Sequence, residues 1–288
     1  MSIITRFAPS PTGYLHLGHV FSALIARRCA REAGGRFLLR IEDIDPGRCR
    51  PEFSAAIEED LAWLGIAWDG PVRVQSRHLP EYRAVLDALD ARGLLYPCFC
   101  TRAEIAAEVA QSVSAPHTPD GSPLYPGTCR GLSQAERAAR TARGERYALR
   151  LDMARALTAA PGPLTFAEQG KGIVVCNPAR FGDVVLARKD APASYHLCVA
   201  HDDAVQGVTL VTRGIDLQPA TDLQRLLQEL MGWPAPLYAH HRLLTDRSGR
   251  RLAKRDNAAT IRALRAAGIT AAAVETLASE ANEGFNAR

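Results

Sequence analysis

The sequence contains no apolar run approaching the ~18 residues that a membrane-spanning helix requires. Its first residues, Met1-Ser2-Ile3-Ile4-Thr5-Arg6, lack the basic-then-apolar pattern of a secretory signal. No membrane association is expected, and a cytoplasmic setting is. Lysine is scarce: Lys171, Lys189 and Lys254 are the three, so almost all positive charge is arginine. The net charge is only +4, which excludes a basic tail and leaves a polyanionic partner permitted rather than demanded. Arginine suits phosphate and carboxylate recognition, but the coding bias of a GC-rich genome, to which the abundant alanine also points, gives the same excess. There is no internal repeat and no low-complexity tract. What is present is ordinary for a globular chain: 288 residues, 47% apolar and 23% charged. That length makes one large domain or two modest ones and buries ample core without staples, so a disulfide scaffold, a fibre and a disordered chain are excluded. Seven cysteines is an odd number; in a reducing compartment, thiols or metal ligands are favoured over disulfides.

Residues 3–8 read as a short apolar strand, and the loop Ala8-Pro9-Ser10-Pro11-Thr12-Gly13 follows, barred from regular structure by its prolines and glycine. A helix is predicted from about His19 to Ala33, stopped by Gly34-Gly35, and a strand from Phe37 to Ile41, ended by Glu42-Asp43-Ile44-Asp45-Pro46-Gly47. Strand, loop, helix and strand make a βαβ unit, so a parallel sheet is expected. Helices follow over 52–64 and 80–92. Pro97 to Leu132, rich in cysteine and proline with one helix near 102–111, reads as an insertion, and 147–190 as short strands broken by Pro and Gly. The α/β pattern returns with Tyr195–Ala200, Val208–Thr212 and a helix from Thr221 to Met231, with Thr221 as its N-cap and Leu223, Leu226, Leu227 and Leu230 as its buried face. An Arg/Gly-rich loop and two short Ala-rich helices close the sequence.

Two clusters carry chemistry. His16-Leu17-Gly18-His19 sits where the first helix begins. A helix N-terminus gathers unpaired N–H groups and positive dipole, which suits phosphate; Gly18 lets a flat group approach the backbone, and the imidazoles add donors as negative charge builds. Arg250-Arg251-Leu252-Ala253-Lys254-Arg255, beside Ser248-Gly249, is the kind of cationic loop that closes over polyphosphates. Taken singly, the first reads equally as a capping feature and the second as a solvated loop.

Taken together they say more. Arg6-Phe7-Ala8-Pro9-Ser10-Pro11-Thr12-Gly13, then His16-Leu17-Gly18-His19, then Arg40-Ile41-Glu42-Asp43-Ile44-Asp45, then Arg251-Leu252-Ala253-Lys254-Arg255, in this order over nearly the whole chain, resemble the glutamyl-tRNA synthetase family of class I aminoacyl-tRNA synthetases. The resemblance implies an α/β fold with a Rossmann-type parallel sheet, and a ligase that makes an aminoacyl-adenylate from ATP. It makes His16 and His19 the pair that stabilises the α-phosphate transition state, Gly18 part of the ATP site, and Lys254, with Arg251, the holder of the ATP phosphates. This sequence departs from the family in having Arg251 for a lysine and Ala253 for a serine; Lys254 is kept, so tuning is expected rather than inactivation. Magnesium is expected with the ATP.

For the amino acid, Glu42 falls at the carboxyl end of the second strand, where open α/β sheets place ligands, and its carboxylate suits an ammonium. Arg6 and Arg213 offer bidentate forks for carboxylates. The resemblance adds Phe7, Ala8, Pro9, Ser10 and Tyr195 to a glutamate site and places Arg213, in Arg213-Gly214-Ile215-Asp216-Leu217, on the side-chain carboxylate, where a neutral amide would leave it partly unpaired. Salt-bridge and core roles for Glu42 and Tyr195 are the plain alternatives.

Cys98-Phe99-Cys100 puts two thiols on one face of an extended segment, and Cys129 makes a third. A tetrahedral zinc site needs a fourth ligand. His117 is the orthodox chemical choice; the resemblance implies Tyr125 instead, through Cys-x-Cys and Tyr125-Pro126-Gly127-Thr128-Cys129. One structural zinc is expected, stabilising an insertion with little core of its own. Cys29, Cys49, Cys176 and Cys198 have no matching partners.

The expected organisation is 1–94 as the first half of the Rossmann domain, 95–190 as an inserted zinc-binding, acceptor-type subdomain, 191–232 as the second half, and 233–288 as a helical segment carrying the lysine loop. After Lys254 only 34 residues remain (288 − 254 = 34), so no anticodon-binding domain is expected. With the cysteine pattern, this resembles a truncated group within the family that activates glutamate without tRNA and esterifies it to the queuosine base at the wobble position of tRNA(Asp). A monomer acting on ATP, L-glutamate and queuosine-bearing tRNA(Asp) is expected. Alternatives are a shortened enzyme charging a tRNA 3′ end, a non-catalytic RNA-binding paralogue, and an adenylate-forming ligase for a small molecule.

Overall fold

The computed structural model describes residues 2–110, 117–119, 121–244 and 260–280. Strand β1 (Ile4–Phe7), helix α1 (Leu17–Glu32) and strand β2 (Arg36–Ile41) form the βαβ unit, and β1 pairs with β2 in parallel from Ile4 opposite Arg36 to Phe7 opposite Leu39. The turn between α1 and β2 demands glycine. Gly34 has φ 61°, and a Cβ on Gly35 would lie 1.9 Å from the Ile3 carbonyl oxygen. Helix α2 (Pro51–Trp63) starts on a proline, which costs nothing at the first turn, and leads to β3 (Arg73–Val74), parallel to β2. Helix α3 (Leu79–Ala91) buries Tyr82, Val85, Leu86 and Leu89 and leads to β4 (Leu95–Cys98).

Helices α4 (Arg102–Ala110) and α5 (Gln134–Ala142) flank the cysteine region; β5 (Ala148–Leu151), α6 (Met153–Ala159), β6 (Thr165–Glu168), β7 (Gly172–Val175) and β8 (Val185–Ala187) follow. The sequence reading missed α5 and α6. The first had a legible signal: Ser133 and Glu136 form a reciprocal capping box, Ser133 Oγ accepting from the Glu136 amide at 3.2 Å. Without a buried residue, α5 showed no apolar stripe. Helix α7 (Tyr195–Val205), capped by Ser194, then β9 (Leu210–Gly214), α8 (Ala220–Met231), β10 (Leu237–His241), α9 (Ile261–Ala266) and α10 (Ala271–Glu280) complete the described chain.

Thr221 is not the N-cap of α8, as expected from its residue type. Pro219 holds that position, and the Thr221 hydroxyl, two residues later in the first turn, accepts a hydrogen bond from Arg213 at 2.6 Å. A buried cation outcompetes the helix's own amides for that oxygen.

Strands β9, β10 and β6 are parallel neighbours, with β7 antiparallel on the far edge of β6. The Thr209 amide donates to the Ile4 carbonyl at 2.9 Å, seating β9 beside β1. The layer therefore runs β3-β2-β1, then β9-β10-β6-β7, and the order reverses between β1 and β9, where open α/β sheets bind ligands. Strands β4, β5 and β8 form a separate antiparallel sheet, so residues 95–190 contribute to two sheets. No described helix is long and apolar enough to cross a membrane.

One core residue predicts a pH-dependent stability. Asp60 is 2% exposed with Oδ2 unpartnered among the described residues. Burial, with Glu59 alongside, pushes its carboxyl up to about 6 against the opposing Arg262 and Arg265. Between pH 4 and 6 the folded chain then binds more proton than the unfolded chain, so this group lowers stability as pH rises through that window. Asp60→Asn is expected to remove that slope, adding about 1–2 kcal/mol at pH 7 and less at pH 4.5. Denaturant melts at the two pH values check it; equal effects refute it.

Candidate active site

The cleft where β1 and β9 meet has a volume of about 360 Å³. Arg6 and Phe7 from β1, the loop residues Ala8, Pro9 and Ser10, Glu42 after β2, Tyr195 opening α7, Arg213 on β9, and His16, Gly18 and His19 at the start of α1 all line it. Sequence positions more than 200 residues apart thus meet in one place.

One end of the cleft is built by the start of α1. His16 is the N-cap, and Nδ1 of His16 accepts from the Gly18 amide at 3.1 Å, while Nδ1 of His19 accepts from the His16 amide at 3.2 Å. The rings lie 3.8 Å apart between centroids. An Nδ1 that accepts carries no proton, so each ring is protonated at Nε2 when neutral. The histidines are caps, and capping sets their tautomer. Arg251 and Lys254 lie outside the described residues. The described chain reaches Leu244, which lines the cleft, and resumes at Thr260, which bridges to His16.

The opposite wall is a buried ionic cluster. Asp203 on α7 accepts from Arg6 Nε at 3.0 Å and Arg40 Nη1 at 2.8 Å, and Glu42 Oε1 accepts from Arg40 Nε at 3.2 Å and Nη2 at 3.1 Å. Asp202 accepts from Arg73 at 2.9 Å, Gln75 at 2.9 Å and Tyr82 at 3.0 Å. Burial raises the Glu42 carboxyl above its ordinary range in spite of Arg40 and Arg6. For Asp203, burial is outweighed by Arg6 and Arg40, which hold it below. Arg6 is thus charge-compensated, and its Nη1 also donates to the Thr212 carbonyl at 3.1 Å. Glu42 is both a salt-bridge partner and a wall of the cleft.

Arg213 is different. Its Nε donates to His240 Nε2 at 3.1 Å, Nη1 to Gln224 Oε1 at 2.8 Å and Nη2 to Thr221 Oγ1 at 2.6 Å. It is 5% exposed, and no described carboxylate touches it. Three of its five N–H groups are engaged by these neutral partners, leaving one on each terminal nitrogen. A buried guanidinium without a counter-charge is costly unless a ligand supplies the anion. Burial lifts the Tyr195 phenol, keeping it neutral beside the same cleft.

Sequence reasoning missed Asp202, Asp203, Thr221, Gln224, His240 and His241, the last of which lines the cleft. Adjacent aspartates on a buried helix were the one legible signal, since acids inside an apolar stripe need partners.

A second cavity of about 1140 Å³ shares Ser10, Thr12, Glu42 and Tyr195 with the first and is lined by Arg48, Arg102, Arg146, Arg188 and Lys189. Cys100 lies on its wall, and the sulfurs of Cys98, Cys100 and Cys129 are within 4.8 Å of one another, Cys100 and Cys129 at 3.4 Å. Tyr125 Oη is 3.7 Å from Cys100 Sγ; His117 does not join the cluster. Three thiols this close match the roughly 3.8 Å edge of a tetrahedral thiolate site with 2.3 Å metal–sulfur bonds. Arg150 stacks 3.8 Å over the Tyr125 ring, and Arg140 4.3 Å over Phe99.

Residues 2–277 match the family described as tRNA synthetases class I (E and Q), catalytic domain. The chain is 49% identical, over 96% of its length and 99% of the relative's, to the Glutamyl-Q tRNA(Asp) synthetase of Rhodobacter capsulatus. It is 44% identical to the protein of that name from Nitratidesulfovibrio vulgaris, over 93% of this chain and 82% of the relative. A glutamate tRNA ligase from Elizabethkingia meningosepticum, crystallised with its amino acid, superposes with a TM-score of 0.74 at 31% identity. That match covers 89% of this chain and 52% of the ligase, so the chain spans about half of that protein's length.

Proposed function

The chain belongs to the class I tRNA synthetase family for glutamate and glutamine, a family of ligases, and from that premise we propose that it activates L-glutamate with ATP and passes the glutamyl group to queuosine at the wobble position of tRNA(Asp). Glutamate, ATP and tRNA are the substrates that its relatives' names and family imply. The observation that carries the amino-acid choice is Arg213: a buried guanidinium with no counter-charge among the described residues, in a cleft whose other wall holds Glu42. A zwitterion with a second carboxylate fits both, its ammonium at Glu42 and its side chain at Arg213. Tyr195, Arg6 and the Phe7–Ser10 loop shape the space between. Glutamine, lacking the charge, would leave Arg213 uncompensated.

In the first step an α-carboxylate oxygen of glutamate attacks the α-phosphorus of ATP, and the bond to the β-phosphate oxygen breaks, releasing pyrophosphate. His16 and His19 donate from Nε2 to the α-phosphate as its charge builds, at the positive end of α1. Lys254 and Arg251 hold the departing phosphates on the strength of the sequence pattern. Magnesium bound with the ATP would neutralise phosphate charge. In the second step a ring hydroxyl of queuosine attacks the acyl carbon, AMP leaves, and the hydroxyl proton passes to solvent. The Arg-rich second cavity, open to the glutamate site at Glu42 and Tyr195, is the route for that RNA. Zinc held by Cys98, Cys100, Cys129 and Tyr125 would bind that cavity's wall together.

Two measurements test this reading. Glutamate-dependent pyrophosphate exchange is expected without RNA, and its absence in metal-replete protein defeats activation. Labelled glutamate is then expected to load queuosine-bearing tRNA(Asp) and not the queuosine-free transcript. Label on the terminal adenosine would instead establish 3′-end charging.

A further inference from the structure

We propose that His240 is a positioning residue for Arg213, a neutral spacer that keeps the guanidinium turned into the cleft and separate from the carboxylate of Glu168 behind it. The proposal rests on the glutamate reading above and explains how the site keeps a buried charge available.

The geometry is a three-residue relay. Arg213 Nε donates to His240 Nε2 at 3.1 Å, and His240 Nδ1 donates to Glu168 Oε2 at 2.6 Å. The His240 amide donates to Glu168 Oε1 at 3.1 Å, so His240 holds both oxygens of that carboxylate, with Lys171 Nζ also on Oε1. An Nε2 that accepts from arginine cannot carry a proton, and Glu168 draws the single ring proton to Nδ1. Glu168 and the His240 side chain are almost wholly buried, on paired strands β6 and β10. The Tyr238 ring lies parallel to the His240 ring at 5.9 Å and supports the Arg213 guanidinium at 5.4 Å.

Charge decides what this arrangement is for. A carboxylate in His240's place would neutralise Arg213 and cancel its attraction for an acidic substrate. Histidine conveys the orienting hydrogen bond without the charge. The groups facing it are Arg213, Glu168 and, through Glu168, Lys171 at 3.4 Å; Thr221, Tyr238 and Phe166 complete the wall. Burial and Arg213 push the imidazole down to about 4 in spite of Glu168, which keeps it neutral at physiological pH. Burial would raise Glu168, but the His240 hydrogen bond and Lys171 hold it below its ordinary range and hence ionised. Without the imidazole, the guanidinium and Glu168 would be left to pair with each other.

The test is glutamate-dependent pyrophosphate exchange by the full chain, with KM measured separately for glutamate and ATP. His240→Phe keeps ring volume and removes both hydrogen bonds. It is expected to raise the glutamate KM about 10- to 100-fold, the worth of a hydrogen bond to a charged group, with the ATP KM unchanged. His240→Gln, whose amide oxygen can accept from Arg213, is expected to recover most of the loss, and the shorter His240→Asn is not. A glutamate KM within about twofold of wild type for His240→Phe overturns the proposal. So does an equal rise in both KM values, or equal behaviour of the Gln and Asn variants should the Phe variant be insoluble. Wild-type protein with no glutamate-dependent exchange defeats the glutamate reading itself, an outcome separate from these.

Discussion

Arg213→Met is expected to lower kcat/KM for glutamate in pyrophosphate exchange by about 10²- to 10³-fold while leaving the protein at least as stable as wild type. The first half follows from the bound state. Substrate carboxylate and guanidinium are both desolvated in a cleft of about 360 Å³, and deleting one member of a buried pair costs about 3–5 kcal/mol. The second half follows from the free state. There the described partners of Arg213 are all neutral, His240, Gln224 and Thr221 by hydrogen bond and the Tyr238 ring beside it, so its burial is a cost that ligand repays. Methionine fills the same channel without it. Opposite movements of activity and melting temperature are what distinguish a binding residue from a structural one. A variant that retains exchange within about fivefold, or one that loses activity only because it melts, would remove Arg213 from the site.

The other large effect concerns the thiol cluster. Protein purified without chelator is expected to carry one zinc per chain, and Cys129→Ser to lose it, with a fall of several degrees in melting temperature and new proteolytic cleavage within 97–132. The local apolar cluster is small, chiefly Tyr96, Cys98, Phe99, Tyr125 and Cys129, too little to order so long an excursion. Burial tends to raise the Cys129 thiol, but hydrogen bonds from Tyr125 and the Phe99 amide hold it below its ordinary range, which favours the thiolate a metal requires. Cys100 is pushed up to about 11 by burial, so its proton must be displaced on binding. Because Cys100 and Tyr125 line the second cavity and not the first, transfer to RNA should suffer far more than activation. Undiminished stability in metal-free protein, or exchange and transfer falling together, would contradict this division.

Much of the candidate site is legible in the sequence. His16 and His19 were marked by a helix start beside a Pro-rich loop, Glu42 by the end of a strand, and the thiols by alternation along an extended segment. Each signal is local, because backbone propensity and side-chain period act over a few residues. The misreading of Thr221 shows where such signals stop. Its hydroxyl suits a helix cap, yet Arg213, eight residues earlier, takes it.

The order of strands and helices around the first βαβ unit, and the residues that gather at the cleft from its loop and helix start, were legible in the sequence alone. Only the tertiary structure decided which arginine has no counter-charge among the described residues. Arg6 and Arg213 are the same side chain on neighbouring strands, but α7 brings Asp203 to the first, while α8 and β10 bring only neutral groups to the second. Charge compensation depends on what lies within about 4 Å in space, and separations of 197 residues, as between Arg6 and Asp203, leave no trace in local pattern.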